Sequence, residues 1–227
     1  MTRRDFIFAG IGISTVSSKA SPKRAILGAR DARAENRKRL PYDSEGEYLE
    51  GFGSQYIDTG VYGNLYTKIE VGFSATMNSH FALSGDFTTT TAAITMPANN
   101  GNSGLYSRFG DKVITTGLGQ PNGYHDVMVD RTGYYSDGSK RGTFGTTKYF
   151  QTSKTIGLFQ FTSLGRNYLI GNVYYCKIYD NGELVRDMIP VRFTNEYGVS
   201  EGAMYDTVSG KMFRNVGIGE FSFGPDI

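Results

Sequence analysis

Between residues 173–180 and 183–193, two runs rich in strand-forming side chains, stands the dipeptide Asn181-Gly182. This pair accepts the positive φ angles of a type I′ turn, so the two runs are predicted to fold back as an antiparallel hairpin. Asp137-Gly138 follows Tyr134-Tyr135 in the same way, and Ser209-Gly210 divides residues 203–206 from 211–214. Tight turns at this density exclude the long crossovers that parallel neighbours need. Short strands joined by such turns point to a sandwich or jelly roll.

The stretches between the turns have a period of two. In Lys68-Ile69-Glu70-Val71-Gly72-Phe73-Ser74-Ala75, the apolar residues Ile69, Val71, Phe73 and Ala75 share one face, with Lys68, Glu70 and Ser74 on the other. Strict alternation of this kind marks a strand covered on one side. His125-Asp126-Val127-Met128-Val129-Asp130 behaves similarly, with Val127 and Val129 inward. Further strands are predicted at 55–59, 81–85, 93–96, 104–109, 112–116 and 155–161. Thirty Gly, 16 Tyr and 15 Phe in 227 residues, with no Trp, suit turns and half-buried pleated surfaces better than helices. A mean hydropathy of -0.34 places the chain outside the membrane-spanning classes. The single cysteine, Cys176, excludes an intrachain disulfide framework and reads as a small buried hydrophobe.

Charge is distributed unevenly. Residues 1–40 hold ten Lys/Arg and three Asp/Glu, a net +7, which leaves fourteen against nineteen, or -5, for the remainder. A nucleic-acid binder would carry its positive charge on the folded domain, so no nucleic-acid partner is expected. The basic excess belongs to a leader. Met1-Thr2-Arg3-Arg4-Asp5-Phe6-Ile7-Phe8 resembles the twin-arginine export motif, with Arg3 and Arg4 as its signal residues. The apolar stretch 6–16 is too short to span a bilayer, and Ser18-Lys19-Ala20 offers small residues for a signal peptidase. The organisation read from the sequence is therefore a signal peptide at 1–20, a basic linker at 21–41 and one domain at 42–227. Its predicted destination is the periplasm, the cell surface or the outside, with no stable membrane span after processing.

Several phrases resemble the concanavalin A-like jelly rolls of the laminin-G type. Residues 48–60, beginning Tyr48-Leu49-Glu50-Gly51-Phe52, look like the first strand pair of that family's bacterial members. Residues 125–138 are similar to its strand-turn-strand ending in Asp-Gly, and 170–180 to its late closing strand. Ile189-Pro190-Val191-Arg192, Met204-Tyr205-Asp206 and residues 217–221 resemble a C-terminal signature of exported members. The resemblance covers roughly 45–223 and implies an all-β, two-sheet antiparallel jelly-roll sandwich. It also implies a binding role toward sugars, glycoproteins or other proteins, although some relatives are hydrolases.

The equipment for hydrolysis is not found in the sequence. A glycosidase of this fold needs two carboxyl groups roughly 5–9.5 Å apart. Asp126 and Asp130 share a strand face at a separation of about 13 Å, and Asp43, Glu45 and Glu47 lie in a polar lead-in; all five read as solvated acids. His80 and His125 belong to no metal-spacing motif. No cofactor is expected; calcium at a rim is a minor option, with Asp86, Asp137 and Asp180 as oxygen donors. Of Tyr134 and Tyr135, and of Tyr174 and Tyr175, one member must face outward on a regular strand. The candidate ligand-binding set is Arg108, Tyr134, Tyr135 and Asp137. The expectation is an exported, non-catalytic module for carbohydrate or glycoprotein. The rivals are a structural or protein-protein interaction domain and a divergent glycoside hydrolase.

Overall fold

In the computed structural model, which describes residues 40–75, 81–89, 92–99, 105–115, 123–160 and 168–227, every strand pairing is antiparallel. The strands are, in order, β1 (Ser44–Glu45), β2 (Leu49–Phe52), β3 (Ile57–Asn64), β4 (Thr67–Ala75), β5 (Phe81–Thr89) and β6 (Ala92–Asn99). They continue with β7 (Leu105–Phe109), β8 (Lys112–Thr115), β9 (Gly123–Asp130), β10 (Gly133–Ser136), β11 (Ser139–Gly142) and β12 (Gln151–Leu158). The last are β13 (Ile170–Asp180), β14 (Glu183–Thr194), β15 (Ser200–Asp206), β16 (Lys211–Phe213) and β17 (Ser222–Phe223). The described residues contain no helix, and so none long and apolar enough to cross a membrane.

Two sheets form the sandwich. The larger, of eleven strands, runs β11-β10-β9-β4-β13-β14-β15-β16, with β1 on β14 and β2 between β13 and β17. The smaller runs β3-β12-β5-β6-β7-β8. Their inner faces supply one core: Ile69, Val71, Phe73, Val127, Val129 and Ile178 from the larger meet Ile57, Ile94, Met96, Phe109 and Leu158 from the smaller. Complete burial of such a side chain stabilises by about 1.5–3 kcal/mol against leaving it in water. This is the physical content of the period-two pattern on β4 and β9. A second apolar cluster, Ile189, Val191, Phe193 and Ala203, lies on the other face of the larger sheet beneath Tyr42, Tyr205 and Met212.

The turns form as their residues require. Asn181 and Gly182 take φ of 49° and 84°, and Asp137 and Gly138 take 53° and 73°, the left-handed values that a type I′ turn imposes. The resemblance's first strand pair is corrected. β2 and β3 are consecutive but belong to different sheets, so they are not hydrogen-bonded to each other. Residues 1–39, with Arg3, Arg4, the export signal and most of the linker, lie outside the described residues, as does His80.

Cys176 is fully buried on the inner face of β13, opposite Val71 and Met188. Burial pushes its thiol far above the ordinary range, with the carboxylates of Asp187 and Asp206 adding to the effect. The native protein is therefore expected to give no reaction with a thiol-specific chromophoric reagent at pH 8. One equivalent should appear on unfolding; prompt native labelling would contradict this placement.

Candidate functional site

Register assembles a site that no single strand announces. On β4 Thr67 and the apolar Ile69, Val71, Phe73 and Ala75 point inward, which leaves Lys68, Glu70, Gly72 and Ser74 on the outer face. Strand pairing sets Ser74 opposite Tyr124 and Asn172, and Gly72 opposite Asp126 and Tyr175. Glu70 stands opposite Met128 and Lys177, with Tyr135 beyond Met128, and Lys68 opposite Tyr179. These rows make one polar, aromatic stripe about 20 Å long at the usual rise per residue.

At one end of the stripe four tyrosines gather. The ring of Tyr174 meets Tyr124 edge-on at 4.9 Å and Tyr48 at 5.6 Å. Tyr124 and Tyr175 donate hydrogen bonds of 2.6 and 2.8 Å to the same oxygen of Asp126. Burial first, and then the Asp126 carboxylate, push both phenols far above their ordinary range, so they remain donors at any physiological pH. Gly72 provides the room: a Cβ there would lie 2.6 Å from the Tyr175 ring and 2.8 Å from the Tyr124 hydroxyl. Asp126 is thus no free solvated acid.

A register shift between Val173 and Tyr175 corrects the expectation that only one of Tyr174 and Tyr175 faces outward. The bulge puts both half-buried rings on the outer face, because its extra residue interrupts the alternation.

The other end of the stripe opens into two adjoining clefts among the hairpin turns. The first, about 310 Å3, is lined by Tyr66, Lys68, Asp130, Arg131 and Tyr179. The second, about 510 Å3, is lined by Arg131, Thr132, Lys140, Thr143 and Thr147, and shares Leu65 and Arg131 with the first. Lys68 bonds Glu70 at 2.7 Å and lies 3.8 Å over the Tyr179 ring. Burial opposes the Lys68 charge, but the Glu70 carboxylate outweighs it and raises the pKa. Asp130 accepts from the amides of Thr132 and Gly133 and from the Thr132 hydroxyl. It is a turn cap.

The four residues predicted from sequence do not converge. Tyr134 points into the core at 1% exposure, which removes it from any surface site. Tyr135 lies outward on the stripe; its hydroxyl is 3.0 Å from Thr132 Oγ1, and Lys140 Nζ is 5.5 Å from its ring centre. Asp137 holds the turn at the opposite end of β10, accepting from the Asp126 amide, the Ser136 hydroxyl and His125 Nδ1–H. Burial works against its charge, yet these donors hold its carboxyl below the usual range. Arg108 belongs to the other sheet. On β7, Ser107 and Phe109 take the buried side, so Arg108 lies on the outer face of the six-stranded sheet, away from the tyrosine stripe. Its row, Asp58-Gly157-Gly85-Thr95-Arg108-Val113, crosses all six strands.

Asp86 is wholly buried opposite Ile94, and Asp180 accepts from Asn64 Nδ2. Among the described residues no three His, Cys, Asp or Glu side chains converge on a common metal position.

Sequence reasoning missed Tyr48, Tyr66, Tyr124, Tyr179, Arg131 and Lys140. Tyr124-x-Asp126 on one strand face was the available signal. The rest become neighbours only through register and turn packing.

No protein-family model matches the chain, and no curated protein is similar to it in sequence. Among solved structures the fold is similar to that of a Bacteroides ovatus protein described provisionally as carbohydrate-binding. The identity is 12% and the TM-score 0.53, over 79% of this chain and 60% of the other. This chain therefore spans less than two thirds of that protein's length, and at this identity the likeness establishes the shared two-sheet sandwich.

Proposed function

We propose that this chain is an exported, non-catalytic carbohydrate-recognition module, and that the glycan lies along the outer face of the eleven-stranded sheet. The observation that carries the reading is the clustering of half-buried Tyr48, Tyr124, Tyr174 and Tyr175 at the head of a polar stripe. Aromatic faces pack on the apolar faces of sugar rings, and the hydroxyl-bearing rows beside them supply donors and acceptors. The stripe's length suits a short oligosaccharide. Its outward carboxylates already serve internal donors: Asp126 two tyrosines, Asp130 a turn, Glu70 the ammonium of Lys68. That occupation favours binding over hydrolysis. The provisional carbohydrate-binding description of the Bacteroides ovatus protein agrees with it, and the Arg3-Arg4 leader supports export.

A glycan array probed with the purified domain, with and without calcium, tests the reading. At least one oligosaccharide class should bind, and Tyr48→Ala and Tyr174→Ala should each weaken binding roughly three- to tenfold. A flat array under both conditions would overturn the proposal. Attention would then pass to a protein-binding role through exposed Val216 and Ile218, on the segment whose backbone bonds to Ser54 and Tyr56.

A further inference from the structure

We infer that the two hairpin-end clefts select saccharides bearing an anionic substituent, a carboxylate or a sulfate, seated between Arg131 and Lys140. This inference rests on the carbohydrate reading and gives the ligand class its charge.

The folded part of the chain is acidic, with a net -5 over residues 41–227, yet residues 138–179 contain no Asp or Glu. They contain Lys140, Arg141, Lys148, Lys154, Arg166 and Lys177. Folding brings part of this basic stretch to the end of the tyrosine stripe. The second cleft includes the cations Arg131 and Lys140, and no acidic residue lines it among the described residues. Both cations are exposed, and neither has a carboxylate partner among the described residues. Arg131 stands 5.9 Å from the centre of the Tyr66 ring and Lys140 5.5 Å from that of Tyr135. These aromatic contacts orient the side chains while leaving their N–H groups available to an acceptor.

The hydroxyl inventory fits a sugar acid. Thr132, Thr143, Thr146 and Thr147 line the same cleft. Thr143 and Thr146 are exposed, so their hydroxyls can donate to and accept from a ligand there, whereas Thr147 Oγ1 is buried. A planar guanidinium matches the two oxygens of a carboxylate or sulfate, and an ammonium adds a point charge beside it. The first cleft continues the path. There Lys68 is already paired with Glu70, and Tyr66 and Tyr179 present ring faces for the neighbouring, uncharged sugar.

Calorimetric titration of the purified domain with three oligosaccharides tests this: a galacturonic-acid oligomer, the same oligomer fully methyl-esterified, and a sulfated oligomer of equal length. At least one charged probe should bind on the order of tenfold tighter than the ester, as expected when a charge-assisted hydrogen bond replaces a neutral one. Whichever charged probe prevails identifies the substituent. Arg131→Gln and Lys140→Met should each remove most of that preference for the charged probe over the ester. Because both side chains are exposed, these variants are expected to keep the wild-type melting temperature. Equal affinity for charged and esterified probes, or a preference insensitive to both substitutions, would overturn the inference and leave the carbohydrate reading intact. Failure of all three probes, together with a flat array, would remove both.

Discussion

Phe109→Ala is expected to lower the unfolding free energy by about 3–5 kcal/mol, read as a fall in urea midpoint at unchanged slope. Phe109 is fully buried on the inner face of β7, pairing with Ile94 of β6. Its ring packs against Phe144 at 5.7 Å and edge-on against Phe150 at 5.3 Å. Those two partners lie on the segment that leaves β11 of the larger sheet and enters β12 of the smaller. Phe109 thus anchors the passage of the chain from one sheet to the other. Truncation would leave a cavity whose walls are two aromatic rings, and close packing gives them little freedom to collapse. Phe109→Leu, which keeps most of the volume, should cost clearly less. A loss below about 1 kcal/mol for the alanine variant would mean that this edge contributes little to closure of the sandwich.

Asp206→Ala should be nearly as damaging, at about 3 kcal/mol or more. Asp206 is fully buried at the end of β15 and accepts from the Asp187, Val208 and Ser209 amides at 2.8, 3.2 and 3.2 Å. The Ser209 hydroxyl adds a bond of 2.5 Å, and Arg186 lies 3.7 Å away. One carboxylate therefore closes the β15–β16 turn and fixes the neighbouring strand β14. Alanine would take the acceptor from three part-buried amides and the Ser209 hydroxyl at once, and a donor left unmet costs more than a satisfied bond contributes. Asp206→Asn, which keeps one carbonyl acceptor, should recover part of the loss. Equal stability of Asp206→Ala and wild type in thermal melts would refute the capping role.

Local chemistry alone determined the class of fold. Asn181-Gly182 and Asp137-Gly138 demanded hairpins because few other residues tolerate their φ angles. The alternation in β4 demanded one wet face and one dry, and Ile69, Val71 and Phe73 are indeed at the centre of the core. The buried state of Cys176 followed from its apolar neighbours in the same way.

The site was a matter for tertiary structure. Side-chain direction on an isolated strand is fixed only relative to its own neighbours, so Tyr134 and Tyr135 could be separated into inner and outer only once pairing with β9 set the face. A bulge at Tyr174 is invisible in a period-two pattern, yet it decides that two rings rather than one point outward. Arg108 and Tyr135 are separated by the sandwich itself, because the connections between strands assign β7 and β10 to different sheets. Arg131 and Lys140, nine residues apart across a hairpin, meet at one cleft because β10 and β11 fold back beside the turn that carries Arg131. Sequence encodes such turns and faces through short-range sterics. Which faces come to lie side by side depends on register, set by the cooperative burial of the whole core.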